Sequence, residues 1–236
     1  MNTDYQALMR RQDAIAQYAD LDPGFAPIFE ACRHYSMTSI ERLFDLYKSV
    51  EYLVKAKVPG AIVECGVWKG GSMMVAARTL VALGQTDRML ALFDTFEGHP
   101  KPEKIEGNTD IFGGDGAEQW FPGQAMASKS EVAWNMKSTG YPMERVHLVK
   151  GMVEDTLKPV ANALECVALA RLDTDWYEPA KVELEALWPR LSKGGILIID
   201  DYGHYKGQRQ AVDEYFGDKP VKLTRIDYSC RVAQRI

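Results

Sequence analysis

From residue 61 onward, short apolar runs alternate with stretches whose apolar positions recur at helical spacing. The apolar runs predict five strands, at Ala61–Cys65, Met89–Phe93, Val146–Lys150, Val167–Leu172 and Ile196–Ile199. Helices are predicted at Ser72–Leu83, Glu131–Ser138, Thr156–Asn162, Glu178–Trp188 and Gln208–Phe216. Two last runs, Val221–Arg225 and Ser229–Gln234, predict a closing antiparallel pair. Such alternation is typical of an α/β protein with a doubly wound, mostly parallel sheet.

Residues 1–60 differ from the rest of the chain because their pattern is helical throughout. Helices are predicted at Tyr5–Tyr18 and Ser39–Lys57, the second capped by Thr38 or Ser39. We expect this region to cover a substrate or to form a subunit contact in a homo-oligomer. Residues 61–236 then form the α/β domain, and residues 97–128, rich in Gly and Pro, predict a long loop or lid over the site.

The composition excludes several classes of protein. The chain has 236 residues, 46% hydrophobic and 26% charged, with a net charge of −5 that argues against nucleic-acid binding. Its amino terminus does not resemble a signal peptide, and no apolar run approaches the roughly 20 residues of a membrane span. The four scattered cysteines predict neither a disulfide framework nor a metal site, and a reducing cytoplasm is the expected location.

Acidic residues follow two of the predicted strands. Asp173 comes directly after Val167–Leu172, and the pair Asp200-Asp201 comes directly after Ile196–Ile199. In a parallel sheet, residues just beyond the carboxyl ends of strands converge on the ligand crevice. Three neighbouring carboxylates repel one another unless a cation joins them, and oxygen ligands favour a hard ion such as Mg²⁺. The alternative is two ordinary strand ends, one of them capped by an aspartate.

The loop after the first strand has the features of a cofactor site. Gly66 permits a tight turn, but Val67-Trp68 breaks the glycine pattern of dinucleotide-binding proteins. The acid Glu64 would repel a pyrophosphate and would suit the ammonium of an amino-acid-bearing cofactor. Ser72, at a helix amino terminus, is placed to receive that cofactor's carboxylate, and Asp94 to bind ribose hydroxyls. Together these residues favour S-adenosylmethionine over a nicotinamide cofactor.

The third predicted strand is followed by Val153-Glu154-Asp155. Val153 and Glu154 are placed to bracket the adenine of such a cofactor. Asp155 can serve equally well as a helix cap.

Several blocks of sequence resemble the macrocin O-methyltransferase family. They are Ser36-Met37-Thr38-Ser39-Ile40-Glu41-Arg42, Ile62–Ser72, Phe93-Asp94-Thr95-Phe96-Glu97-Gly98 and Asp200-Asp201-Tyr202-Gly203-His204. The resemblance runs from about residue 35 to the carboxyl terminus and implies a class I, Rossmann-like methyltransferase fold. It also implies S-adenosylmethionine as donor, Mg²⁺ or a similar ion held by Asp173, Asp200 and Asp201, and a hydroxyl of a glycosylated natural product as acceptor.

Two residues compete for the role of general base. The resemblance suggests that Asp173 doubles as ligand and base, and His204 is the rival. Catechol-type methyltransferases use a lysine shortly after the first metal aspartate, whereas this chain has Trp176 and Tyr177 there. Trp176, Trp120, Phe121 and Tyr202 are candidates to line the acceptor pocket. A phenolic acceptor, a nicotinamide-dependent oxidoreductase and a non-catalytic binding protein are the alternatives to a sugar methyltransferase.

Overall fold

The computed structural model describes residues 22–101, 109–114 and 120–236. Over these residues one mixed sheet is formed by β1 (Ala61–Cys65), β2 (Leu90–Asp94), β3 (Val146–Lys150), β4 (Val167–Leu172), β5 (Leu191–Ile199), β6 (Thr224–Arg225) and β7 (Arg231–Gln234). The strand order is β3-β2-β1-β4-β5-β7-β6. Strands β1 to β5 are parallel, and β7 is antiparallel to both of its neighbours. The predicted doubly wound sheet with an antiparallel end is confirmed.

Helices cover both faces of the sheet. They are α1 (Phe25–Cys32), α2 (Ile40–Lys55), α3 (Gly71–Ala82), α4 (Lys129–Lys137), α5 (Val153–Ala163), α6 (Tyr177–Leu187) and α7 (Lys206–Phe216). Ile62 packs with α1 to α4, whereas its neighbour Val63 packs with α5 to α7. Successive strand residues point to opposite faces, and all five residues of β1 are buried, so this strand is covered on both sides.

Most of the predicted elements are confirmed to within a few residues, and two differ from the prediction. Helix α1 was not predicted, although Phe25 and Phe29 are completely buried in it. Strand β5 begins at Leu191, five residues before the predicted start, because Gly194 and Gly195 lie within the strand. Ser39, one of the two predicted caps, caps α2. The helix predicted at Tyr5–Tyr18 lies outside the described residues, as do residues 102–108 and 115–119 of the predicted lid.

The carboxyl ends of β1, β4 and β5 are joined by backbone hydrogen bonds. The Asp173 N–H donates to the Cys65 carbonyl at 2.9 Å, and the Asp200 N–H donates to the Leu172 carbonyl at 3.0 Å. The two predicted strands that carry the acids are therefore neighbours. Among the described residues, no helix combines the length and apolar character needed to cross a bilayer.

Candidate active site

Three aspartates meet at the carboxyl edge of the sheet. One carboxylate oxygen from each of Asp173, Asp175 and Asp201 lies within 4.8 Å of the others. Asp175 was not singled out from the sequence, and it takes a left-handed backbone conformation with φ of 68°. Non-glycine residues in that conformation are strained and are concentrated at functional sites. The donor set consists of oxygen atoms, which suits a hard divalent cation.

Asp200 lies next to this cluster but has different partners. It is 3% exposed, and its Oδ1 accepts a hydrogen bond from Arg171 at 2.5 Å. Its Oδ2 accepts hydrogen bonds from the Arg42 guanidinium and from the Thr38 hydroxyl. Burial alone would raise the pKa of Asp200, but the two arginines outweigh burial and lower it. Asp200 thus has its counter-charges within the protein, and its predicted role as a metal ligand stays a prediction.

Asp173 and Asp201 are less well compensated. Burial, together with the neighbouring carboxylates, raises the pKa of Asp173 to about 7 even though Arg171 donates to it at 2.6 Å. The same causes raise the pKa of Asp201 well above its usual range. Two arginines, Arg42 and Arg171, face the carboxylates of Glu64, Asp173, Asp200, Asp201 and Asp227. The excess of negative charge favours binding of cations at this edge.

Glu64 is buried at the end of β1 with one oxygen unused. Its Oε1 accepts a hydrogen bond from Arg171 at 2.7 Å, whereas its buried Oε2 has no hydrogen-bond partner among the described residues. Burial raises the pKa of Glu64 to about 8 against the lowering effect of Arg171. A buried acceptor without a partner is costly. The unused oxygen therefore fits the predicted contact with a ligand ammonium.

The loop between β1 and α3 is held by Asp94 at the end of β2. Asp94 Oδ2 accepts hydrogen bonds from the N–H groups of Val67 at 2.7 Å and Trp68 at 3.0 Å, and Oδ1 accepts from Phe96 at 2.7 Å. Trp68 and Phe96 both have positive φ. Asp94 thus fixes the shape of two strained turns, a role that its sequence position did not reveal. Carboxylates have further lone pairs, and the predicted ribose contact stays a prediction.

The other predicted cofactor residues lie after β1 and after β3. Gly66 has φ of 81°, and Ser72 is buried in the first turn of α3. Val153 is buried in the first turn of α5, which follows β3, and the buried Oε2 of Glu154 beside it has no hydrogen-bond partner in the part of the chain that the structure describes. That unused acceptor fits the amino group of an adenine. The roles of Gly66, Ser72, Val153 and Glu154 stay predictions.

His204 lies in a cluster of aromatic rings. Its ring centroid is 4.5 Å from Tyr205, 5.9 Å from Tyr228 and 6.2 Å from Phe112, and its Nδ1 is 3.4 Å from the Tyr228 hydroxyl. This surrounding suits stacking on an acceptor as well as proton transfer. Its role as base stays a prediction.

Only some of the aromatic residues proposed for an acceptor pocket lie near the aspartates. Trp176 is buried between His99 and Tyr205, and the Trp120 indole N–H donates to the His99 carbonyl at 2.7 Å. Phe121 is 58% exposed. Tyr202 instead packs with the apolar residues on the face of the sheet that α5 to α7 cover, and its hydroxyl donates to Asp213 in α7 at 2.7 Å. The expectation that Tyr202 lines the acceptor pocket has no support in its contacts.

Sequence reasoning missed three further residues of the site. A charged residue within a buried strand requires partners, so Arg171 in the run Ala-Leu-Ala-Arg-Leu was a detectable signal. Arg42 contacts Asp200 across 158 positions of sequence, and His99 contacts Asp175 across 76 positions. Nothing local to these two residues indicated such contacts.

The fold is that of a class I, Rossmann-like methyltransferase. The chain belongs to the macrocin-O-methyltransferase family, which it matches over residues 27–235. An 8-demethyl-8-(2,3-dimethoxy-alpha-L-rhamnosyl)-tetracenomycin-C 4'-O-methyltransferase from Streptomyces olivaceus is 34% identical over 183 residues, covering 78% of this chain and 68% of that protein. A mycinamicin III 3''-O-methyltransferase from Micromonospora griseorubida is 33% identical, covering 81% and 76%.

Solved structures agree with this assignment. The O-methyltransferase NovP superposes with a TM-score of 0.76 and 30% identity, over 85% of this chain and 82% of that chain. The calicheamicin methyltransferase CalS11 superposes with a TM-score of 0.69 at 20% identity, over 99% and 93% of the two chains. NovP supports the relationship in sequence and fold, and CalS11 supports the fold.

Proposed function

We propose that this protein is an S-adenosylmethionine-dependent and divalent-metal-dependent O-methyltransferase that acts on a sugar hydroxyl of a glycosylated natural product. One observation carries the proposal: three features lie together at the carboxyl edge of the sheet. They are the glycine loop after β1, the buried Glu64 with its unused oxygen, and the cluster of aspartates. Family membership supplies the reaction, and relatives that act on a rhamnosyl-tetracenomycin and on mycinamicin III support the acceptor class.

The residues around the first loop fit the methyl donor. Glu64 Oε2 would accept a hydrogen bond from the donor's ammonium, and the first turn of α3 at Ser72 would receive its carboxylate. Asp94 would hold the ribose, and Val153 with Glu154 would enclose the adenine. In this arrangement the sulfonium would face the aspartates, whose negative charge would favour it.

The aspartates fit a divalent cation such as Mg²⁺. The proposed ligands are those expected from the sequence, Asp173, Asp200 and Asp201, and Asp175 joins them on geometry. For Asp200 to bind the ion, the metal would have to share its oxygens with Arg42 and Arg171 or replace one of these arginine contacts. When bound, such an ion lowers the pKa of an acceptor hydroxyl and fixes its direction.

The protein's contribution to the reaction is alignment and proton transfer. The acceptor oxygen forms a bond to the methyl carbon as the methyl–sulfur bond breaks, and the hydroxyl proton passes to a carboxylate. We assign that carboxylate to Asp173, with His204 as the alternative base. Two substrates held at the right distance and angle react far faster than free reactants.

A panel assay tests this function. The purified protein is incubated with S-adenosylmethionine, Mg²⁺ and deoxysugar glycosides, with phenols and catechols in parallel, and products are detected by the mass of one added methylene. We expect methylation of a glycoside, no activity in Asp173→Asn, and less than about tenfold loss in His204→Ala. Methylation of phenols alone would overturn the acceptor class, and an inactive, folded His204→Ala would move the base to His204.

Three further parts of the proposal come from the sequence alone. We propose that the enzyme works in the cytoplasm and as a homo-oligomer. We also propose that residues 97–128 cover the bound acceptor. In the described part of this segment, the backbone of Asp110 pairs with that of Tyr205, next to His204.

A further inference from the structure

His99 connects two loops of the site that are far apart in sequence. It lies after β2, beyond the turns that Asp94 holds, and its Nε2 lies 3.0 Å from Asp175 Oδ2 in the loop after β4. Its side chain is 16% exposed, and that of Asp175 is 21% exposed. A direct hydrogen bond in so sheltered a position is stronger than one in water.

The hydrogen-bond partners of His99 determine which of its ring nitrogens carries a hydrogen. An ionised carboxylate only accepts hydrogen bonds, so the contact with Asp175 requires a hydrogen on Nε2. The Trp176 indole N–H is a donor that points at Nδ1 from 3.2 Å, and the Pro100 carbonyl is an acceptor 3.1 Å from the same nitrogen. Nδ1 can therefore accept from Trp176 in the neutral ring or donate to Pro100 in the imidazolium. In both forms Nε2–H donates to Asp175.

The carboxylate that His99 contacts belongs to a strained residue. Asp175 has φ of 68°, a conformation that an L-residue keeps only when its surroundings hold it. Its Oδ2 bonds to His99, and a carboxylate has further lone pairs on Oδ1 for a cation or an acceptor hydroxyl. Loss of the hydrogen bond would leave Asp175 free to relax away from Asp173 and Asp201.

We propose that His99 is a positioning residue that holds the Asp175 carboxylate in the aspartate cluster through its Nε2–H. The inference rests on the proposed methyltransferase function, and it adds a contact that links the loop after β2 to the reacting groups. His99 is itself fixed on both sides of its backbone. Its N–H donates to the Gln124 carbonyl at 2.7 Å, and its carbonyl accepts from the Trp120 indole. The position of Asp175 thus depends on residues 120–124 of the segment proposed to cover the acceptor.

The first test reads the hydrogen on His99 directly, in the whole protein and without any substrate. Two-dimensional ¹⁵N–¹H NMR of the histidine rings, assigned with a His99→Gln variant, should show a protonated Nε2 in His99. A neutral ring with its hydrogen on Nδ1 and none on Nε2 would overturn the inference, because Nε2 could then not donate to Asp175.

The second test separates positioning from folding. His99→Phe keeps a ring of similar size without a donor, whereas a glutamine amide in His99→Gln can donate again. We expect His99→Phe to lower kcat about ten- to hundredfold and to weaken Mn²⁺ binding, measured by calorimetry, with S-adenosylhomocysteine affinity nearly unchanged. His99→Gln should recover most of the lost kcat. His147→Phe and His147→Gln, made at an exposed position of β3, are the matched controls.

The outcomes distinguish the two proposals. Wild-type kcat and Mn²⁺ affinity in a folded His99→Phe protein would overturn the role of His99 and leave the methyltransferase function intact. A glutamine variant as impaired as the phenylalanine variant would do the same. If the wild-type protein methylates no acceptor, the function fails, and the NMR and Mn²⁺ measurements then decide the role of His99 without it.

Discussion

Gly66 lies directly against the backbone of Asp173. A Cβ atom at Gly66 would lie 1.9 Å from the Asp173 carbonyl oxygen, far inside van der Waals contact. The loop after β1 and the loop after β4, which carries Asp173, are therefore packed backbone to backbone. A shift of one loop would displace the other, and with it both the proposed donor site and the aspartates.

Gly66→Ala should disrupt this contact. We expect it to lower the free energy of unfolding by about 3 kcal/mol or more, because both the clash and the positive φ oppose a side chain. Gly84→Ala is the matched control, since Gly84 also has a positive φ but open space around it, and it should cost only about 1 kcal/mol. Urea denaturation measures both. Equal costs for the two substitutions would show that the Gly66 contact is not tight.

Glu64→Gln should weaken cofactor binding. The substitution removes the charge that faces the ligand ammonium, and a lost charge-assisted hydrogen bond costs about 1.5–3 kcal/mol, or roughly ten- to hundredfold in affinity. Calorimetry with S-adenosylhomocysteine measures the change, and Glu165→Gln, at an exposed position before β4, is the control. If folded Glu64→Gln binds like wild type, our placement of the donor is wrong.

The strand ends could be predicted from the sequence because their signals are local. Apolar runs of five or six residues identified β1, β3 and β4 to the residue, and acids directly after strands identified Asp173 and Asp201. Helix boundaries were less exact by one to three residues, since capping and the first turn depend on tertiary contacts.

The partners of these acids could not be predicted in the same way. Arg42 contacts Asp200 from α2. A contact across 158 residues cannot be detected from the spacing of residues in a single sequence. Asp175 was overlooked because its strained φ, rather than its position two residues after Asp173, brings it into the cluster. Long-range ion pairs and backbone strain both require the folded chain.

Asp200 and Asp201 should respond differently to the loss of their charge. Asp200→Asn removes the counter-charge of two buried arginines, so we expect a loss of about 3–5 kcal/mol in stability together with weaker Mn²⁺ binding. Asp201→Asn should weaken Mn²⁺ binding at least about tenfold with a much smaller change in stability. Urea denaturation and calorimetry of both variants give the two quantities. If Asp200→Asn is as stable as wild type, the arginine contacts contribute little.

Asp45 should make the protein less stable as the pH rises. Burial raises the pKa of this half-buried carboxyl in α2 from 3.8 to about 6, and its Oδ2 has no hydrogen-bond partner within residues 22–101, 109–114 and 120–236. The penalty is absent below pH 3.8, grows as the unfolded chain ionises and is complete above about pH 6. Asp45→Asn should therefore stabilise the protein by about 1–2 kcal/mol at pH 7 and hardly at pH 4. A gain that is equal at both pH values, or shared by the exposed Asp218→Asn, would contradict this assignment.

The central claim is that methyl transfer occurs at a cation held by the aspartates at the carboxyl ends of β4 and β5. The most direct measurement is the rate of acceptor-dependent S-adenosylhomocysteine formation after chelation and after return of Mg²⁺. We predict that chelated protein loses turnover, that Mg²⁺ restores it, and that Asp201→Asn is not restored at the same Mg²⁺ concentration. Full turnover by chelated wild-type protein would contradict the account.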